Sequence, residues 1–125
     1  MIPIATFSIV AYDPARQEWG VAVQSKFLAA AAVVSWAKAA AGAVATQSYA
    51  NMDYGPQGLE LMAAGHSARQ TIDRLVANDP ERGLRQVGMV DRQGQAWAFT
   101  GAECTPWAGH HLGQGYACQG NILIP

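Results

Sequence analysis

The residues of this chain best suited to chemistry gather at the ends of two short stretches. Thr6 opens TFSIVAYD, and Gln24-Ser25-Lys26 closes EWGVAVQSK, with Asp13-Pro14 between them as a turn. If the two stretches pair as antiparallel strands, a hydroxyl, an amide, a second hydroxyl and an ammonium meet at one edge of a sheet. A threonine hydroxyl is a poor nucleophile unless a base sits beside it, and one workable base is the chain's own α-amino group. The reference pKa of that group, about 7.7–8.0, leaves it substantially neutral near neutral pH. Five residues precede Thr6, so this chemistry requires trimming. A lysine near the hydroxyl would favour the alkoxide, and backbone N–H groups at a Gly-rich turn would hold an oxyanion. Lys38 is the candidate for that lysine. It stands among Trp36, Ala37 and Ala39-Ala40-Ala41, where it must snorkel or find a partner.

The remaining reactive side chains offer less. His110 and His111 are adjacent, so on a strand they point to opposite faces, and His66 falls between helical segments. No Asp or Glu shows ligand spacing with them, and neither a metal nor a cofactor is expected. Cys104 lies beside Glu103, which would raise its thiol pKa and make it a poor nucleophile. Gln119-Gly120-Asn121 reads as a small polar turn.

Composition bounds the partners. The chain has 125 residues, enough for one domain, with half of them hydrophobic and only 14% charged. Soluble domains carry about 25% charged residues, so part of this surface is expected to be covered, either by a missing part of the chain or by a partner subunit, with a homo-oligomer as the expected form. A net charge of −1 without runs of Lys or Arg argues against nucleic acid. The first five residues are too short for a secretory signal, and the apolar window from Phe27 to Ala50 is interrupted by Ser35, Lys38, Gly42, Thr46, Gln47 and Ser48. No membrane partner is expected. With only Cys104 and Cys118 present, reduced thiols and a cytoplasmic location are expected.

The elements that would position these residues follow from periodicity. Phe7, Ile9 and Ala11 alternate with Ser8 and Tyr12, and Gly20 to Val23 is a short apolar run, as in a hairpin of a covered sheet. Val33 to Lys38 and Ala43 to Ser48 read as a second hairpin. Two helices are expected at 56–64 and 68–78. Pro56 sits in the first turn of one, and Ser67 with Gln70 forms a capping box for the other. Strands are expected again at 85–90 and 95–100, with further short ones at 107–112 and 116–119. Strands, then two helices, then strands make an α+β domain in which one helical layer covers one sheet face.

The strings ATFSIVAYDP, EWGVAVQSKF, WAKAAAGAVATQSYAN, YGPQGLELM, LRQVGMVD and YACQGNIL together resemble the bacterial and archaeal family named domain of unknown function 1028. The resemblance implies the αββα sandwich of the N-terminal nucleophile (Ntn) hydrolase superfamily. This chain would supply its N-terminal part and lack the second helical layer. It also implies an amide or peptide bond hydrolase acting on a small substrate. Thr6 would be the nucleophile, and Gln24 and Ser25 would stand where related sites keep a carboxylate and a hydroxyl. Lys38 would lie near the catalytic lysine. Gln47 and Ser48, with Gln119, Gly120 and Asn121, are the candidate substrate-binding residues. An amide at position 24 and an untrimmed start favour a second reading, a non-catalytic ligand-binding or assembly domain of the same fold.

Overall fold

A computed structural model describes residues 5–124. Two antiparallel four-stranded sheets lie face to face, and two helices cover the outside of one of them. The first hairpin is β1 (Thr6–Asp13) and β2 (Glu18–Ser25). The Asp13 carboxylate accepts from the Ala15 N–H at 2.9 Å to close its turn. A single helical turn α1 (Ala31–Val34) leads into β3 (Ser35–Lys38) and β4 (Gly42–Ser48). Val33 and Val34 therefore belong to a turn of helix, not to the strand expected from their β-branched side chains. Burial of Val34 between the sheets outweighs the local preference.

Helices α2 (Tyr54–Ala63) and α3 (Ala68–Ala77) follow. The second starts in a complete capping box: Ser67 Oγ accepts from the Gln70 N–H, and Gln70 Oε1 from the Ser67 N–H. The Asp91 carboxylate accepts a further bond from the Ala68 N–H at 2.9 Å, placing negative charge at the helix N-terminus, where it is favourable. Both helices pack on β3–β6 around Val44, Tyr54, Met62, Ile72, Val87 and Met89. Gly55 lets α2 approach closely, since a Cβ there would collide with the Trp36 ring.

The chain ends with β5 (Arg85–Asp91), β6 (Ala96–Thr100), β7 (Gly109–Gly113) and β8 (Tyr116–Asn121). The sheet orders are β2-β1-β8-β7 and β3-β4-β5-β6. Gln119-Gly120-Asn121 is thus the end of β8 and not a turn. These residues pair with Ser8, Phe7 and Thr6 of β1, which extends the strand past its expected stop. Between the sheets, small side chains (Ala43, Ala45, Ala98 and Ala117) pack with Val10, Val34 and Val90.

Candidate functional site

Alternation along β1 sorts its residues by face: Thr6, Ser8 and Val10 turn inward, while Phe7 and Ile9 are exposed on the outer face. Thr6 lies opposite Ser25 on one side and Asn121 on the other. Its Oγ1 is 2.7 Å from Ser25 Oγ, which also accepts from the Phe27 N–H at 3.1 Å. The Lys26 N–H donates to the Ala5 carbonyl, so the backbone just before Thr6 is tied to the end of β2. Thr6 is 8% exposed.

Deeper between the sheets lies a connected set of amides and hydroxyls. Gln119 Nε2 donates to Ser8 Oγ at 2.7 Å, and Ser8 Oγ donates to Gln47 Oε1 at 2.6 Å. Gln47 Nε2 then donates to Gln86 Oε1 at 2.8 Å, an oxygen that Asn121 Nδ2 also reaches at 3.0 Å. Gln86 Nε2 donates to the Gly120 carbonyl, the Gly109 carbonyl and Thr100 Oγ1. Thr100 Oγ1 lies 2.9 Å from His110 Nδ1. Burial pushes the His110 pKa below its ordinary value, favouring the neutral ring that can accept there. Gln47, Gln86, Gln119 and Asn121 are all within 3% of full burial. Among the described residues Gln119 Oε1 is a buried acceptor without a partner. It rests against Gly88, where a Cβ would collide with it.

Of the five non-glycine residues with positive φ among the described residues, two lie at the same end. Ser48, the last residue of β4, has φ +66°, and Ile122, directly after β8, has φ +55°. The left-handed region costs a non-glycine residue about 1–2 kcal/mol. Such strain concentrates at functional positions.

Two expected members are elsewhere. Gln24 pairs with Phe7 and faces outward, exposed, on the side of the sheet away from Thr6. The period of two makes this unavoidable once Ser25 faces inward. Lys38 pairs with Gly42, which pairs with Asp91, whose carbonyl accepts from Trp19 Nε1 at 2.8 Å. Trp19 in turn pairs with Tyr12. Lys38 therefore stands at the Tyr12 end of the sandwich, about 20 Å from Thr6 at a strand rise of about 3.3 Å per residue. Ser25 is the one side chain hydrogen-bonded to Thr6 among the described residues. Sequence reasoning did not single out Ser8, Gln86 and Thr100, and weighed His110 only as a metal ligand. A signal existed, because Ser8, Gln86 and Gln119 share strand parity with Val10, Val90 and Ala117 on otherwise apolar inner faces. Among the described residues there is no group of three His, Cys, Asp or Glu that could hold a metal ion.

A separate polar cluster ties α2 to β5. Asp79 accepts from Tyr54 Oη at 2.7 Å and from Arg85 Nε at 2.8 Å. The guanidinium holds the Asp79 carboxyl well below the usual carboxylate range, while burial and the neighbouring carboxylate push the Tyr54 phenol up. Every Asp79 oxygen is already engaged, so this is a clasp.

Residues 6–125 match the model of a family of unknown function, DUF1028. The chain belongs to this family. A crystal structure of a DUF1028 protein from Silicibacter pomeroyi superposes with a TM-score of 0.91 at 28% sequence identity. The match covers 95% of this chain and 53% of that one, so this chain spans about half the length of that relative. No curated protein matches. No helix among the described residues is long and apolar enough to cross a membrane.

Proposed function

We propose that this DUF1028 chain forms the N-terminal part of an Ntn-type amide hydrolase, an αββα sandwich in its complete form, with Thr6 as nucleophile once Thr6 is the first residue. The observation that carries the reading is the placement of the Thr6 hydroxyl. It faces inward at the start of β1, 2.7 Å from Ser25 Oγ, at the edge of the buried network of neutral amides between the sheets. Thr6 Oγ1 attacks the substrate carbonyl and passes its proton to the free α-amine. The α-ammonium then protonates the departing amine, and water hydrolyses the acyl ester on Thr6. Ser25 orients the hydroxyl. With the neutral side chains of Ser25 and Asn121 beside Thr6, the site suits a small amide or peptide. Neither Lys38 nor Gln24 takes part.

The reading is tested with chain starting at Thr6 against a panel of small amides. Thr6→Ala should abolish turnover, Thr6→Ser should retain a measurable part of it, and Lys38→Ala should leave it unchanged. Turnover that survives Thr6→Ala would defeat the assignment. A second reading, a non-catalytic domain that binds a neutral ligand, draws on the absence of any charged side chain bonded to Thr6 among the described residues. Saturable binding without turnover by the trimmed chain would favour it.

A further inference from the structure

Along β1 successive residues turn their main-chain N–H and C=O groups alternately toward β2 and toward β8. The Tyr12 N–H donates at 2.9 Å to the Gly115 carbonyl, which continues the β1–β8 register. Val10, Ser8 and Thr6 therefore turn theirs toward β8 as well. The other end of the strand agrees. The Ala5 carbonyl accepts from the Lys26 N–H on the β2 side, which directs the N–H of the same peptide, that of Thr6, the opposite way. Thr6 stands opposite Asn121, so its nitrogen meets the Asn121 carbonyl. Ile122 then bends away at φ +55° and gives its N–H to the Thr105 carbonyl at 3.1 Å, which fixes the Asn121–Ile122 peptide from its far side. The Asn121 side chain is fixed too. Gln86 Nε2 faces the Gly109 and Gly120 carbonyls, which only an N–H can meet. Gln86 Oε1 therefore faces Asn121 and takes its Nδ2 at 3.0 Å. Asn121 Oδ1 is thereby turned away from Gln86, is bonded to no other described residue, and belongs to the side chain next to Thr6 on the inner face.

We propose that Asn121 is the positioning residue for the Thr6 α-amine, a role that rests on the hydrolase reading above. The nitrogen that is an amide in the longer chain is the α-amine once Thr6 comes first, and its place beside β8 stays the same. The Asn121 main-chain carbonyl accepts one of its protons and Oδ1 accepts another. The lone pair of the neutral amine is then left to face Thr6 Oγ1, whose proton it takes. Both acceptors also hold the ammonium form, which favours the charged state. The contact is internal to the sheet, so it is independent of what covers the outer face.

The test reads this nitrogen directly by nuclear magnetic resonance. In the 125-residue chain, the Thr6 amide should be protected from exchange and show a scalar coupling across its hydrogen bond to the Asn121 carbonyl carbon. In chain starting at Thr6, the nitrogen shift of the α-amine is followed against pH for the wild type and for Asn121→Leu, which keeps the volume and loses the acceptor. The variant should titrate at lower pH than the wild type, by about half a unit or more. Its kcat should fall about tenfold or more at a pH where the amine is neutral in both, with KM within about twofold. The proposal is overturned if the protection and the coupling are absent, or if a cooperatively melting Asn121→Leu titrates as the wild type does. It is equally overturned if that variant raises KM and leaves kcat unchanged, which would make Asn121 a substrate contact. The titration needs no substrate, so the coupling and the shift without turnover of any amide would uphold the placement and sink the hydrolase reading.

Discussion

Gln86 is the side chain on which the inter-sheet contact depends most. Its carbonyl takes two donors and its amide reaches three acceptors, and these five bonds join β5 to β4, β6, β7 and β8. Gln86→Leu keeps the volume but leaves the buried Asn121 amide without its partner and the Gln47 amide with the Gln119 carbonyl alone. At about 1–3 kcal/mol per unsatisfied group, the expected loss is about 2–4 kcal/mol, read as a lower denaturant midpoint with an unchanged slope. Gly88→Ala should also destabilise, by about 1–3 kcal/mol, because the new methyl meets Gln119. Gly88→Ala combined with Gln119→Ala should recover part of that loss. An additive double mutant would show that the collision is not the cause. These residues were hard to recognise beforehand. Each is a single polar residue on an apolar strand, and the partners come from strands as far apart in sequence as Ser8 and Gln119. By contrast, Thr6 and Ser25 are joined by a local hairpin whose turn chemistry and alternation are visible in the sequence.

The clasp of Tyr54, Asp79 and Arg85 fixes α2 and the end of α3 to β5. Side chains of Asp79 and Arg85 are 5% and 12% exposed, so removing one partner leaves a buried charge. Asp79→Ala is expected to cost about 3–5 kcal/mol. The pH dependence has a definite sign. The folded Asp79 pKa lies below its unfolded value, so its contribution is complete above about pH 4 and is lost as pH falls further. Urea midpoints from pH 6 to pH 2 should fall more steeply in the wild type than in Asp79→Asn. Equal slopes would rule out Asp79 as the source. The two helices and their Ser67–Gln70 cap follow from spacing alone, because the signals are local. Lys38 shows where local signals fail. Its separation in sequence from Thr6 fits a catalytic lysine, but the tight β3–β4 turn at Lys38–Gly42 lies at the opposite end of the sandwich.

The two stacked sheets place every polar inner-face group of the candidate site at one end. Fold class was legible because strand and helix periods segregate along the chain. The depth of the match to a protein nearly twice as long was not, since pairing of β8 with β1 links positions more than a hundred residues apart. Within the described residues no carboxylate or lysine is bonded to Thr6, so catalysis would depend on one ionisation, that of the α-amine. Turnover by chain beginning at Thr6 should rise with pH through about 7.7–8.0 and then level off. A bell-shaped profile would require a second titrating group bonded to Thr6, and none is found among the described residues. The most direct check is the intact mass and N-terminal sequence of freshly purified protein, taken alongside its amide turnover. The proposed chemistry predicts a mature chain whose first residue is Thr6 and which alone turns over amides. A chain that keeps residues before Thr6 and hydrolyses amides equally well would contradict it.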